Sequence, residues 1–131
     1  MNWYRITCAF RGCVWGSAVV ALVGCGPSGA ANLSLDKDVA HRSLKTFLDA
    51  WTSGETVEAL QSKSPKIVGH DVSWEAGQKL VRYELGAESD DGANLHIKVE
   101  LVLGTEGGQE SSQSVTYIVG TSPVITVFRN E

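Results

Sequence analysis

The hydrophobic period of the chain changes from 3.6 to 2 at Pro65, and that change sets the fold class. Before it, Leu44, Phe47, Leu48 and Trp51 fall at i, i+3, i+4 and i+7, with Ala40 one turn earlier. Residues at that spacing share one face of a helix, so the segment is amphipathic with one side to bury. Asp36 or Ser34 can cap the start, and Asp36 and Asp38 suit the positive end of the helix dipole. Gly54 is placed to stop the helix. Glu55 to Gln61 has room for another turn or two, and Ser62-Lys63-Ser64-Pro65 then breaks the pattern.

After Pro65 the residues alternate. Lys66 to His70 reads as a short strand. From Gln78 to Ser89, Val81, Tyr83, Leu85 and Ala87 fall on one face and Arg82, Glu84 and Glu88 on the other. Ser89-Asp90-Asp91-Gly92 is a turn, since Asp-Gly accepts the positive φ of a tight hairpin. The clearest strand follows, with Leu95, Ile97, Val99, Leu101 and Leu103 facing one way and His96, Lys98 and Glu100 the other. Val115, Tyr117 and Val119 mark a further strand, and Val124 to Arg129 a last one. The expected class is α+β: one N-terminal amphipathic helix packed on a curved antiparallel sheet of four to five strands.

The first 35 residues carry a different message. Arg5 and Arg11 make a positive front, and Gly12 to Val23 is apolar or small without a charge. That order describes a secretory signal. The apolar run is too short for a spanning helix, which needs about 20 residues. Leu22-Val23-Gly24-Cys25 resembles the lipobox of bacterial lipoproteins. The resemblance implies a diacylglyceryl thioether on Cys25, cleavage before it and acylation of the new amine. Residues 1–24 would then be removed, and 25–34, with Gly26-Pro27-Ser28-Gly29 at its front, would form a flexible tether to one domain over 35–131. In Gram-negative lipoproteins of this kind an Asp after the cysteine favours the inner membrane, so Gly26 points to the outer one.

Cleavage would account for all three cysteines. Cys8 and Cys13 leave with the signal and Cys25 becomes the first residue, so neither a disulfide within the mature chain nor a Cys-based metal site is expected. Removing 24 of the 131 residues leaves 107, with 9 basic against 15 acidic side chains. A net charge of −6 argues against a nucleic-acid partner, which needs a basic footprint.

Leu44 to Leu60 (LKTFLDAWTSGETVEAL) resembles the opening helix of the NTF2-like, cystatin-like group. Enzymes of that group place Asp, His or Tyr inside a cone of sheet and helices. Trp51, Tyr83 and Tyr117 are the pocket candidates such a cone would hold, although core aromatics are routine at these positions. His70-Asp71 is the one His–carboxylate neighbour pair, and adjacent residues on a strand face opposite ways. His41 reads as a boundary residue, His96 and Asp49 as solvated, and Trp74 as cover for one end of the core. No phosphate loop, metal-ligand spacing or nucleophile elbow occurs, so no cofactor is expected.

The leading expectation is a lipid-anchored envelope protein, a non-catalytic module binding another protein or a small ligand. An NTF2-like lyase, isomerase or hydrolase is the enzymatic alternative, and a structural subunit of an envelope complex the third. If the anchor reading holds, Cys25→Ser abolishes fatty-acid labelling of the protein in cells and leaves a precursor of unprocessed mass. Normal labelling of that variant disproves it.

Overall fold

The computed structural model of the protein describes residues 34–130. The signal segment, Cys25 and residues 26–33 of the tether lie outside the described residues. Helix α1 (Lys37–Thr52) begins where expected, with the Asp36 carboxylate accepting the Val39 N–H at 3.0 Å. Such a cap contributes about 1 kcal/mol. The helix ends at Gly54, whose φ of 78° lets the Gly54 and Glu55 N–H groups turn back to the carbonyls of Trp51 and Ala50. A 3₁₀ helix (Val57–Ser62) follows, then strand β1 (Ile67–His70), a single helical turn α2 (Val72–Glu75), and strands β2 (Lys79–Asp90), β3 (Asn94–Gly104), β4 (Glu110–Gly120) and β5 (Ile125–Asn130).

The sheet runs in the order β1-β5-β4-β3-β2. β2 to β5 form the expected antiparallel meander, but β1 pairs with β5 in parallel, Ile67 beside Ile125. The sheet is therefore mixed, not wholly antiparallel. Chain parity explains it. β1 and β2 are joined through α2 at one end of the sheet, and a meander of four strands brings β5 back running the same way as β1. The α+β class stands.

The core lies between α1 and the inner sheet face. Ala40, Leu44, Phe47, Leu48 and Trp51 are buried on the helix side, facing the buried set Leu95, Ile97, Val99, Leu101 and Leu103 of β3 with Val115, Tyr117 and Val119 of β4. Completely burying one such aliphatic side chain is worth about 1.5–3 kcal/mol, so this two-sided set dominates the stability. Leu60 of the 3₁₀ helix and Ile67 of β1 close one margin of the core.

β2 departs from simple alternation. Leu80 pairs with Leu103 and Arg82 with Val102, then Leu85 with Val99 and Glu88 with Ile97, so β2 holds one extra residue at each of two bulges. The first bulge puts Leu80, not Val81, in the core, and leaves Val81 41% exposed. The second moves Glu88 off the face it would share with Arg82 and Glu84. It now sits opposite the inward residue Ile97, where directly paired residues share a face. Of Val81, Tyr83, Leu85 and Ala87, only Tyr83 packs against the core.

Those displaced acids meet the flank of α1. Lys37 reaches Asp90 at 2.6 Å, His41 reaches Glu88 at 2.6 Å, and the Tyr83 hydroxyl donates to Asp49 at 2.6 Å. The three links in this order show α1 lying antiparallel to β2. Asp90 raises the Lys37 pKa through a hydrogen bond and charge, and Lys37 lowers that of Asp90 in return.

Gly69 of β1 lies under the Phe47 ring, and a Cβ placed there would stand 2.1 Å from Phe47 Cε2. The ring is held edge-on by Trp74 and Tyr117 and cannot retreat freely. Gly69→Ala should therefore cost about 1–3 kcal/mol by overpacking, read as a lower urea midpoint at unchanged m-value. Combined with Phe47→Leu, which makes room, the two losses should sum to more than the double variant shows. Strict additivity would contradict this contact.

Candidate functional site

Two polar or concave arrangements stand out, one sealed and one open. The sealed one centres on Asp71, whose side chain is fully buried. It caps α2, its Oδ1 accepting the N–H groups of Ser73 at 2.8 Å and Trp74 at 3.0 Å. Its Oδ2 accepts the Tyr117 hydroxyl at 2.6 Å, and Arg129 Nη1 stands 3.6 Å from Oδ1. Arg129 also donates to Ser73 Oγ at 2.9 Å and Gln113 Oε1 at 3.1 Å. The cluster ties α2 to β4 and β5.

Chemically it is a closed circuit. Burial and the negative charge of Asp71 drive the Tyr117 pKa far above its usual value of 10.0, so the phenol keeps its proton and acts as donor. No buried side-chain nitrogen or oxygen among the described residues lacks a partner. A buried charge that is paired and hydrogen-bonded fits a structural role. Proton transfer to a substrate would need a member of the cluster to reach one.

The histidines are likewise engaged. His41 bonds Glu88, His70 bonds Glu75, and His96 Nε2 bonds Asp91 at 3.1 Å. His70 and its neighbour Asp71 part company as strand geometry requires, one exposed and one buried. The hydrogen bond from His96 and the N–H groups of Asn94 and Ala93 hold Asp91 well below the usual carboxylate range. Among the described residues, no three His, Cys, Asp or Glu side chains gather to hold a metal ion.

The open arrangement is a groove of about 550 Å³ where the end of α1 meets α2 and the start of β2. Trp51 and Trp74 stack at its base, centroids 5.5 Å apart and planes within 5°. Each indole pins a different wall. Trp51 Nε1 donates to the Gln78 carbonyl at 2.7 Å, and Trp74 Nε1 to the Glu55 carbonyl at 3.0 Å. Gly54 and Gly77, at φ 78° and 82°, form bends in those walls, where open space replaces side chains. Glu55, Glu58, Glu75 and Lys79 supply its charge.

The three aromatic candidates separate. Trp51 lines the groove, whereas Tyr83 and Tyr117 are not among its lining residues. Tyr83 packs against the core with its hydroxyl on Asp49, and burial followed by that carboxylate raises its pKa. Tyr117 is wholly buried on Asp71. Trp74 covers one end of the core at 8% exposure and shares the groove base. Cys25 lies outside the described residues. The groove acids and the buried role of Asp71 carry no local sequence pattern of their own. One signal was present: Ile125, Val127 and Arg129 share a strand face, so an inward arginine called for a buried acid.

Tyr117→Phe leaves a buried carboxylate oxygen without its donor and should cost about 1–3 kcal/mol. Because the Tyr117 pKa is raised on folding, its contribution is complete below pH 10, where the unfolded phenol is neutral, and declines above it. Denaturation between pH 9 and 12 should show stability falling by up to about 1.4 kcal/mol per pH unit from this group, and the variant should flatten that slope. An unchanged slope contradicts the assignment.

No family model, curated protein or solved structure matches the chain.

Proposed function

We propose that the protein is a lipid-anchored binding module of a bacterial cell envelope, with the groove between α1, α2 and β2 as its contact surface. The groove carries this reading. It is open and backed by a stacked tryptophan pair, and among the described residues no three His, Cys, Asp or Glu side chains gather there to hold a metal ion. Binding surfaces combine a fixed aromatic base with polar walls in this way. The anchored half rests on the lipobox resemblance of Leu22-Val23-Gly24-Cys25 and the Gly-containing stretch after it. Two or more acyl chains would hold the domain durably at a membrane. The Gly26 position favours the outer membrane.

The NTF2-like, cystatin-like reading of the domain rests on the resemblance of Leu44 to Leu60 to that group's opening helix. The two bulges of β2 supply a local bend of the kind a curved sheet needs. A structural-subunit reading draws on β2, an edge strand carrying the exposed Val81 and Leu85. Bulges and interspersed charges on that strand discourage edge-to-edge pairing, which favours the groove.

A photo-crosslinking amino acid placed at Thr56 in the groove, in cells making the full chain, should give a discrete adduct upon irradiation. The same amino acid at Glu100 on the outer sheet face should give none. Adducts at Glu100 alone, or at neither place, tell against this contact surface.

A further inference from the structure

Lys37, His41 and Asp49 join one flank of α1 to β2. On the other flank, Val39, Arg42, Ser43 and Thr46 fall at i, i+3, i+4 and i+7 and form one stripe. That stripe faces Lys63, Ser64, Pro65 and the first residue of β1, Ile67, across a cavity of about 360 Å³. The cavity is more enclosed than the groove and lies within the range of small-molecule sites, about 300–1,000 Å³.

Ser43 distinguishes this cavity. The residue is 4% exposed, yet its hydroxyl forms no hydrogen bond among the described residues. Thr46, Thr52 and Ser53 each donate to the carbonyl four residues back, the usual way a helical hydroxyl is satisfied. Ser43 does not. No sealed side-chain oxygen among the described residues lacks a partner, so the Ser43 hydroxyl opens into the cavity that it lines. A nearly buried donor aimed into a cavity calls for an acceptor there.

The surrounding charge selects the acceptor. The chain carries 15 acidic against 11 basic residues, but this cavity is lined by Arg42 and Lys63 and by no carboxylate. Glu55 holds Lys63 at 2.7 Å. Arg42 uses only Nε, which donates to the Asp38 carbonyl at 3.3 Å, and its two terminal nitrogens have no partner among the described residues. A guanidinium with both ends free matches the paired oxygens of a carboxylate or phosphate. Ser64, exposed on the facing wall, adds a hydroxyl, and Val39, Pro65 and Ile67 add apolar surface.

We propose that this cavity binds a small organic oxyanion. Its carboxylate or phosphate pairs with Arg42 and accepts the Ser43 hydroxyl, and its apolar body lies against Val39, Pro65 and Ile67. The site is separate from the groove and from the anchor, so it stands or falls without them.

The full-length chain, purified in an uncharged detergent, is titrated with benzoate and with phenyl phosphate by isothermal calorimetry. At least one should bind saturably, and more tightly than inorganic phosphate, which lacks the apolar body, or benzyl alcohol, which lacks the charge. Arg42→Gln should raise the Kd at least about tenfold. Ser43→Ala should raise it about threefold to tenfold, as loss of one hydrogen bond predicts. Lys98→Gln, which removes an exposed cation from the outer sheet face, should leave it unchanged. Circular dichroism of each variant confirms that the fold is retained. Binding of neither probe overturns the proposal, as does equal weakening by Lys98→Gln or full affinity in Ser43→Ala. Inorganic phosphate or benzyl alcohol binding as tightly as the better probe overturns it too, because the site would then not read charge and apolar body together.

Discussion

The Asp71 carboxylate is the constraint around which the sheet margin is arranged. An unpaired carboxylate in this position would be too costly to keep charged, because removing it from water forfeits several kcal/mol of hydration. Two N–H groups of α2, the Tyr117 hydroxyl and the nearby Arg129 guanidinium replace that hydration. The donors come from three parts of the chain, so satisfying one charge fixes how α2, β4 and β5 meet. It also places Trp74, three residues after Asp71, where its ring contacts Phe47 and Trp51. The aromatic cluster and the groove base both follow from that placement.

The two bulges of β2 work at the opposite margin. An uninterrupted strand would have directed Val81, Tyr83, Leu85 and Ala87 inward. Each extra residue reverses the alternation, and the result is an edge strand whose acids Glu88 and Asp90 turn towards α1. Individually these exposed pairs contribute little. Together with the Tyr83–Asp49 bond they orient α1 along β2, where its apolar stripe covers the inner face. The same bulges leave an edge poorly suited to recruiting another strand.

Helix α1 links the core to the groove. The helix starts beside the turn between β4 and β5 and ends at the groove, so the element that builds the core also spans the domain from one end to the other. Gly54 contributes twice, ending the helix through its positive φ and giving the groove a wall without a side chain. The helix stop and the groove wall thus meet in one short stretch, Trp51 to Glu58.

Local periodicity made much of this legible. The stripe from Ala40 to Trp51, the Asp36 cap, the Gly54 stop and the faces of β3 and β4 depend on residues a few positions apart, whose burial follows from helix and strand geometry alone. The sequence by itself therefore determined the α+β class and the residues of the central core. Tertiary structure alone decided the parallel pairing of β1, the reversed faces of β2, the burial of Asp71 and the groove. The physical reason is common to all four. A bulge is defined only against a partner strand, a buried charge only against the donors that surround it, and a groove only by walls that meet in space. Asp71 and Tyr117 are 46 residues apart, and no local pattern encodes that pairing.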